Sequence, residues 1–196
     1  MNDHIRPALA TLGLMTLLTG LAYPLAITGL GQALMPVQAN ASLITRDGQV
    51  IGSALVGQAF AAPGYLHPRP SAVDYDAAAA GASNLGPTSA PMLADQTARA
   101  SAYAVENDAS RVPVDAVTTS ASGLDPHISP ENAAAQAGRI AEARGIPVAE
   151  VRALIDAQTQ APWLGLFGEP RVNVLLVNLA LDAALPPTPT GPATEG

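Results

Sequence analysis

The sequence predicts an α+β chain: one N-terminal transmembrane helix, then a single small mixed α/β extracytoplasmic domain with a β-hairpin as its nucleus. Three observations carry this. No charged residue lies between Arg6 and Arg46. An Asp47-Gly48 pair joins two β-rich runs in "SLITRDGQVIGSALVG" (42–57), and a type I′ hairpin turn favours that dipeptide. Beyond it, helix signatures with clear starts and stops are interleaved with short β-rich runs. The expected organisation is a short cytoplasmic N-terminus (1–7), a transmembrane helix (8–31), a soluble α+β domain (32–182) and a Pro-rich tail (183–196).

The run 7–35, "PALATLGLMTLLTGLAYPLAITGLGQALM", holds 29 mostly apolar residues. A bilayer span needs about 20 residues at 1.5 Å rise each. The small-x-small "ANA" at 39–41 resembles a signal-peptide cleavage site, but the apolar run is about twice the length of a secretory h-region. An uncleaved anchor is therefore expected. His4 and Arg6 stand on the short N-terminal flank, and only Arg46, beside Asp47, follows the helix. The positive-inside rule then places the N-terminus in the cytoplasm and the domain outside.

The helix carries more than a lipid anchor needs. Tyr23 and Pro24 fall near mid-membrane, and Thr16 and Gly20 form a small-xxx-small pair. A hydroxyl and a proline-freed carbonyl need partners in hydrocarbon, and neighbouring helices supply them. Thr16, Gly20, Tyr23 and Pro24 are therefore candidate partner-interface residues.

In the domain, 57–91 is dense in Gly, Pro, Ser, Asn and Asp and reads as an ordered loop with one helical turn near 74–80. A helix is expected over 91–107, with Ser89 as N-cap and Pro91 near its start. "VPVDAVTTSAS" (112–122) is β-rich and is a strand candidate. Ser129 caps a helix that Pro130 and Glu131 favour, running to Arg144 and stopping at Gly145. Pro147 starts a second helix with Val148, Val151, Leu154 and Ile155 on one face. "RVNVLLVNLALD" (171–182) is a buried strand or a strand-to-helix run. The tail is too poor in bulky apolar groups to pack and is expected to be disordered.

Composition removes whole classes of chemistry. All nine basic residues are arginine, so a Walker-A loop, a pyridoxal Schiff base and a Ser-Lys hydrolase lack their lysine. No cysteine means no disulfide and no thiolate site. A net charge of −7 repels a phosphate backbone and argues against nucleic acid as a partner, including a helix-turn-helix reading of the two short-linked helices.

The stretch "SGLDPHISPENAA" (122–134) concentrates the functional candidates. Ser122, Asp125 and His127 are too close in sequence on a Pro-bounded turn to converge as a triad, and there is no G-x-S-x-G elbow. His67 and His127 with Asp74, Asp76 and Asp125 have no metal-ligand spacing. Neither a catalytic nor a metal residue is assigned. Pro126 and Pro130 instead stiffen a partner-facing elbow in which Asp125 and His127 are interface candidates. Ser83, Asn84 and Gly86 in "SNLG", and the helix start at Ser129, could present backbone N–H groups to a phosphate. A lone loop of that kind is not a nucleotide motif by itself.

"TGLAYPLAITGLGQALMPVQANASLI", "GSALVGQAF…PGYLHPRPSAVDYD…GASNLGPT", "SASGLDPHISPENA" and "LFGEPRVNVLLVNLALD" run in this order along nearly the whole chain. Together they are similar to the C subunit of the bacterial Kdp potassium-transporting P-type ATPase. The chain departs in reading GAS before Asn84, Ser89 where Asn is usual, and an extra tail. The resemblance implies a single-pass accessory subunit in the bacterial inner membrane, partnered by lipid and by separate pore-forming and ATP-hydrolysing subunits. It implies a role in assembly and, as a catalytic chaperone, in raising the ATP affinity of the hydrolysing subunit. ATP would then be bound jointly with that subunit, with no cofactor of the chain's own. Without lysine the chain cannot hold the Asp-Lys-Thr-Gly phosphorylation motif of such a pump. The alternative reading is a membrane-tethered exported binding protein or enzyme.

Overall fold

A computed structural model describes residues 2–184 of the chain. It divides into two compact units, Met1–Ser53 and Ala54–Gly196.

The first unit is a helix followed by a hairpin. Helix α1 (Asn2–Leu17) passes through a π-turn (Leu18–Ala22) into α2 (Tyr23–Leu34). The helix starts earlier and ends later than the 8–31 expected, so the N-terminal flank is itself helical. Over His4–Leu34 it is long and apolar enough to cross a membrane. Its 31 residues span about 46 Å, more than the ~30 Å hydrocarbon thickness. Pro24 explains the π-turn. A proline has no N–H to donate and its ring crowds the carbonyl four residues back, here that of Gly20. Widening the preceding turn relieves the clash, and the Tyr23 N–H reaches the Leu18 carbonyl.

After the short helix α3 (Pro36–Ala39), strands β1 (Leu43–Arg46) and β2 (Gln49–Ser53) pair antiparallel, with an irregularity between Ile44 and Thr45. Asp47 and Gly48 both have positive φ, 53° and 77°, as the type I′ turn requires. The hairpin forms where the sequence placed it, but it is a two-stranded sheet of its own. No residue of the buried core lies in it. It is therefore not the nucleus of the domain.

The second unit is built on helices. These are α4 (Ala90–Asn107), α5 (Val114–Val117), α6 (Pro130–Arg144), α7 (Val148–Gln158) and α8 (Val174–Ala184). Short strands β3 (His127–Ile128), β4 (Thr159–Gln160) and β5 (Arg171–Asn173) form one sheet in the order β3-β5-β4, both pairs antiparallel. Ala133, Ala137, Ile140 and Ala141 of α6, Val151 and Ile155 of α7, and Val174, Val177 and Leu181 of α8 share one buried cluster. Three alanines on one face let the helices approach closely. Each fully buried Ile, Leu or Val side chain contributes about 1.5–3 kcal/mol relative to exposure.

The helix ends follow local chemistry. The Ser129 hydroxyl accepts the Asn132 N–H at 3.0 Å, and Gly145 closes α6 at φ 67°. Asn173 makes the strand-to-helix switch, its Oδ1 accepting the Leu176 N–H at 3.1 Å as an N-cap of α8. Ser89 stands at the N-cap of α4 with extended φ/ψ, but its hydroxyl makes no capping bond.

Further expectations are corrected. Residues 112–122 contain no strand; 114–117 form a helical turn behind Pro113, because Asp115 is drawn to the start of α6 rather than a strand to a sheet. The helical turn near 74–80 is instead a pair of tight turns, with Asp74 and Tyr75 at positive φ. Val148 stays 37% exposed, so its helix buries Val151 and Ile155 but not its first apolar residue. The tail expected from 183 begins no earlier than 185, since α8 continues to Ala184; the remainder lies outside the described residues.

Candidate functional site

The elbow at 122–134 is fastened from both sides. Gly57 donates its N–H to the Leu124 carbonyl at 2.7 Å, and a Cβ there would stand 2.6 Å from the Asp125 carbonyl oxygen. Only glycine allows that approach. Gly123, at φ 69°, is as constrained: a Cβ would meet Val73 at 2.5 Å and the Gly81 carbonyl at 2.9 Å. Ser71 Oγ donates to the Gly123 carbonyl at 2.7 Å and accepts the N–H groups of Val73 and Tyr75. The long Gly/Pro-rich loop is thus an ordered wrap around the elbow.

Within the elbow, one oxygen of Asp125 accepts the His127 N–H at 3.0 Å and the other accepts from Arg69 Nη1 at 3.1 Å. His127 Nδ1 lies 3.6 Å from Asp125. Burial works to raise the Asp125 carboxyl, but the His127 hydrogen bonds and the Arg69 charge outweigh it and hold the group below its ordinary value. Asp125 and His127 line an open cleft of about 410 Å³ with Arg69, Ser129, Glu169 and Arg171. Asp125 and His127 are therefore brought together, as orienting groups on a stiff ledge. Ser122 is turned to its own loop, accepting the Leu124 N–H at 3.1 Å.

The four candidate phosphate contacts are not gathered. Ser83 and Asn84 line a separate cleft of about 360 Å³ beside Arg99 and Thr118–Ala121. A Cβ added to Gly86 would meet only open space. Ser129 gives its N–H and its hydroxyl to the Asp115 carboxylate, at 2.7 and 2.9 Å, while Asn132 Nδ2 donates to the same group at 3.1 Å. The chain's own carboxylate thus occupies the positive end of α6. Among the described residues no three His, Asp or Glu side chains converge as a metal set.

A second network escaped the sequence reading. The Asn178 side-chain amide bonds both the N–H and the carbonyl of Leu66, at 2.8 and 3.0 Å. Gln136 does the same for His67, at 2.8 and 3.1 Å. Two side chains thereby supply what a neighbouring strand would have supplied to "PGYLHPRP". Arg139 reaches the Pro63 and Tyr65 carbonyls, and Arg144 reaches the Gly64 carbonyl at 2.7 Å and Asp182 at 3.0 Å. The Arg144 guanidinium also lies 4.9 Å from the Tyr65 ring centroid. The signal was present as polar residues at helical spacing, Asn132, Gln136 and Arg139, on a face that also carries alanines.

On the candidate membrane helix, Thr16 and Gly20 lie one turn apart; a Cβ on Gly20 would meet Thr16 Cγ2 at 4.0 Å. The π-turn sits between Thr16 and the Tyr23-Pro24 pair. Pro24 withholds the N–H that would have reached a carbonyl one turn back, near Gly20.

Such a chain is of the class of small mixed α/β proteins with one N-terminal candidate membrane helix. Its sequence is narrower than that class. A profile of the family described as "KdpC: K+-transporting ATPase, c chain" matches residues 5–183. The "Potassium-transporting ATPase KdpC subunit" of Cereibacter sphaeroides strain KD131 is 63% identical over 184 residues, covering 94% of this chain and 99% of the relative. The protein of the same description from Caulobacter vibrioides is 57% identical over 190 residues, 95% of this chain and 96% of the relative. That from Polaromonas naphthalenivorans is 53% identical over 191 residues, 95% and 97%. The chain belongs to the KdpC family, the C subunits of the potassium-transporting ATPase.

Proposed function

We propose that this chain is a non-catalytic accessory subunit that helps assemble an ATP-driven potassium importer in the bacterial inner membrane. One observation carries the assembly role: the helix His4–Leu34 holds a π-turn, a proline and a Tyr hydroxyl at a depth where lipid offers no hydrogen-bond partner. The face built from Thr16, Gly20, Tyr23 and Pro24 then meets helices of the pore-forming and ATP-hydrolysing subunits, and lipid covers the rest. The N-terminus lies in the cytoplasm and the domain outside, as the charge flanks favour. Asp125 and His127 form a second contact on the ledge of the elbow.

From outside, the domain cannot touch cytosolic ATP. A rise in the ATP affinity of the hydrolysing subunit is then a coupling free energy carried through helix packing. Ser83, Asn84, Gly86 and Ser129 would make no direct contact with nucleotide, and ATP would be held by the hydrolysing subunit.

Detergent extraction tests the reading. The chain should co-purify with two larger membrane subunits, and ATP affinity of the complex should fall when it is stripped away. Extraction of this chain alone would remove the assembly role. An alkaline phosphatase fusion after residue 60 should be active; activity from a cytoplasmic reporter at the same place would reverse the topology.

A further inference from the structure

The turn between β4 and β5 carries the most exposed apolar group of the second unit. Trp163, Leu164, Leu166 and Phe167 are 69%, 70%, 80% and 61% exposed, although each is a large hydrophobic side chain. No charged residue lies between Gln160 and Glu169. The tip is not a slack loop. Trp163 and Phe167 exchange N–H···O bonds at 3.0 Å in both directions, and Gly165 and Leu166 donate to the Pro162 and Trp163 carbonyls. The Trp163 and Phe167 rings lie 5.6 Å apart, in tilted contact. Leu164, Gly165 and Gly168 take positive φ, which closes the turn tightly.

We propose that this tip inserts into the bilayer interface, as a second membrane contact beside the helix. Three features favour lipid over a protein groove. A tip that enters lipid must satisfy its own backbone N–H groups, since hydrocarbon supplies no partner; those of Trp163, Gly165, Leu166 and Phe167 are bonded within the turn. A protein groove could itself supply such partners. Trp with Phe and Leu, free of charge, is the composition that settles at the headgroup boundary. The chain also holds the domain close to a bilayer. The helix ends at Leu34 and the second unit begins at Ala54, a tether that even fully extended reaches no more than about 70 Å. Such confinement makes the second contact an intramolecular event, so a weak insertion is enough. The inference rests on the helix being in a membrane, and holds whichever face the domain occupies.

Trp163 is the only tryptophan in the chain, so the protein carries its own probe. The full chain is reconstituted in phosphatidylcholine vesicles, and Trp163 emission is read with and without bromine-labelled acyl chains. Insertion predicts blue-shifted emission, quenching by the brominated lipid, and protection from aqueous iodide. The variant Leu166→Asp/Phe167→Asp should restore water-like emission and iodide access, with helix content by circular dichroism unchanged. Emission in the wild-type chain that ignores brominated lipid and responds to iodide would overturn the proposal. So would a blue shift that appears only when the other pump subunits are added, because the tip would then be a protein-docking element. Failure of insertion leaves subunit co-purification untouched, which separates this test from that of the proposed function.

Discussion

Arg144 shows how a single side chain joins distant segments. It is 1% exposed, and it holds the Gly64 carbonyl, Asp182 and the Tyr65 ring. Breaking a buried pair leaves a charge without compensation, which costs about 3–5 kcal/mol. Arg144→Ala should therefore lower the unfolding free energy toward the low end of that range, since Asp182 keeps some access to water, and this should be read as a lower urea midpoint; Arg144→Lys should recover only part, because lysine lacks the planar fork. Two other residues set the acid response. Burial and the Arg139 charge hold His67 below its ordinary 6.5, against the Ala62 carbonyl and the Glu106 carboxylate. The folded state thus binds fewer protons than the unfolded one, and stability falls as pH drops from 6.5 toward the folded value. Asp125 is depressed from 3.8, so its contribution is intact above that value and is lost as pH falls through the lower folded one. Unfolding midpoints measured against pH should show two descending steps. His67→Gln should remove the upper and Asp125→Asn the lower; a single step surviving both substitutions unchanged would refute the assignment.

At the scale of elements, the π-turn is the feature with most consequence. It rotates the Thr16 half of the helix relative to the Tyr23 half, since a wider turn delays the next residue on the face. Helix packing in lipid depends on close approach at small residues. Gly20→Leu should leave membrane insertion intact and weaken retention of the partner subunits in detergent; equal retention would reduce the helix to an anchor. The elements themselves differ in how openly the sequence announces them. Helix α6 carries a Ser cap, a Pro start and a Gly stop, and α7 a Pro start, all short-range signals; α6 has the expected bounds and α7 the expected start. The run 112–122 has the side chains of a strand, but it pairs with none of the strands of the sheet. Asp115 instead bonds the start of α6 across a gap in sequence that no local pattern reveals.

At the scale of the whole molecule, the buried core lies entirely between Phe60 and Leu181, within the second unit. A fragment spanning 54–184 should fold without the helix and hairpin and unfold cooperatively, with helical circular dichroism and a sigmoidal urea curve. A fragment that lacks a cooperative transition would show that the first unit is needed to complete the fold. The long apolar N-terminal helix, the hairpin turn, the α6–α7 pair and the capped helix start at Ser129 were all legible in the sequence. Each depends on composition or on residues within one or two turns of one another: charge-free length, Asp47-Gly48, Ser129-Pro130, Gly145. Which sheet the domain would use, and that the hairpin would stand outside its core, depended on pairings more than forty residues apart, such as His127 with Asn173. The amide clamps of Gln136 on His67 and Asn178 on Leu66 are likewise tertiary. A polar side chain on a helix reads as solvent-facing until a distant backbone arrives to claim its hydrogen bonds. Local chemistry therefore determined what this chain's segments are, and only burial decided which of them meet.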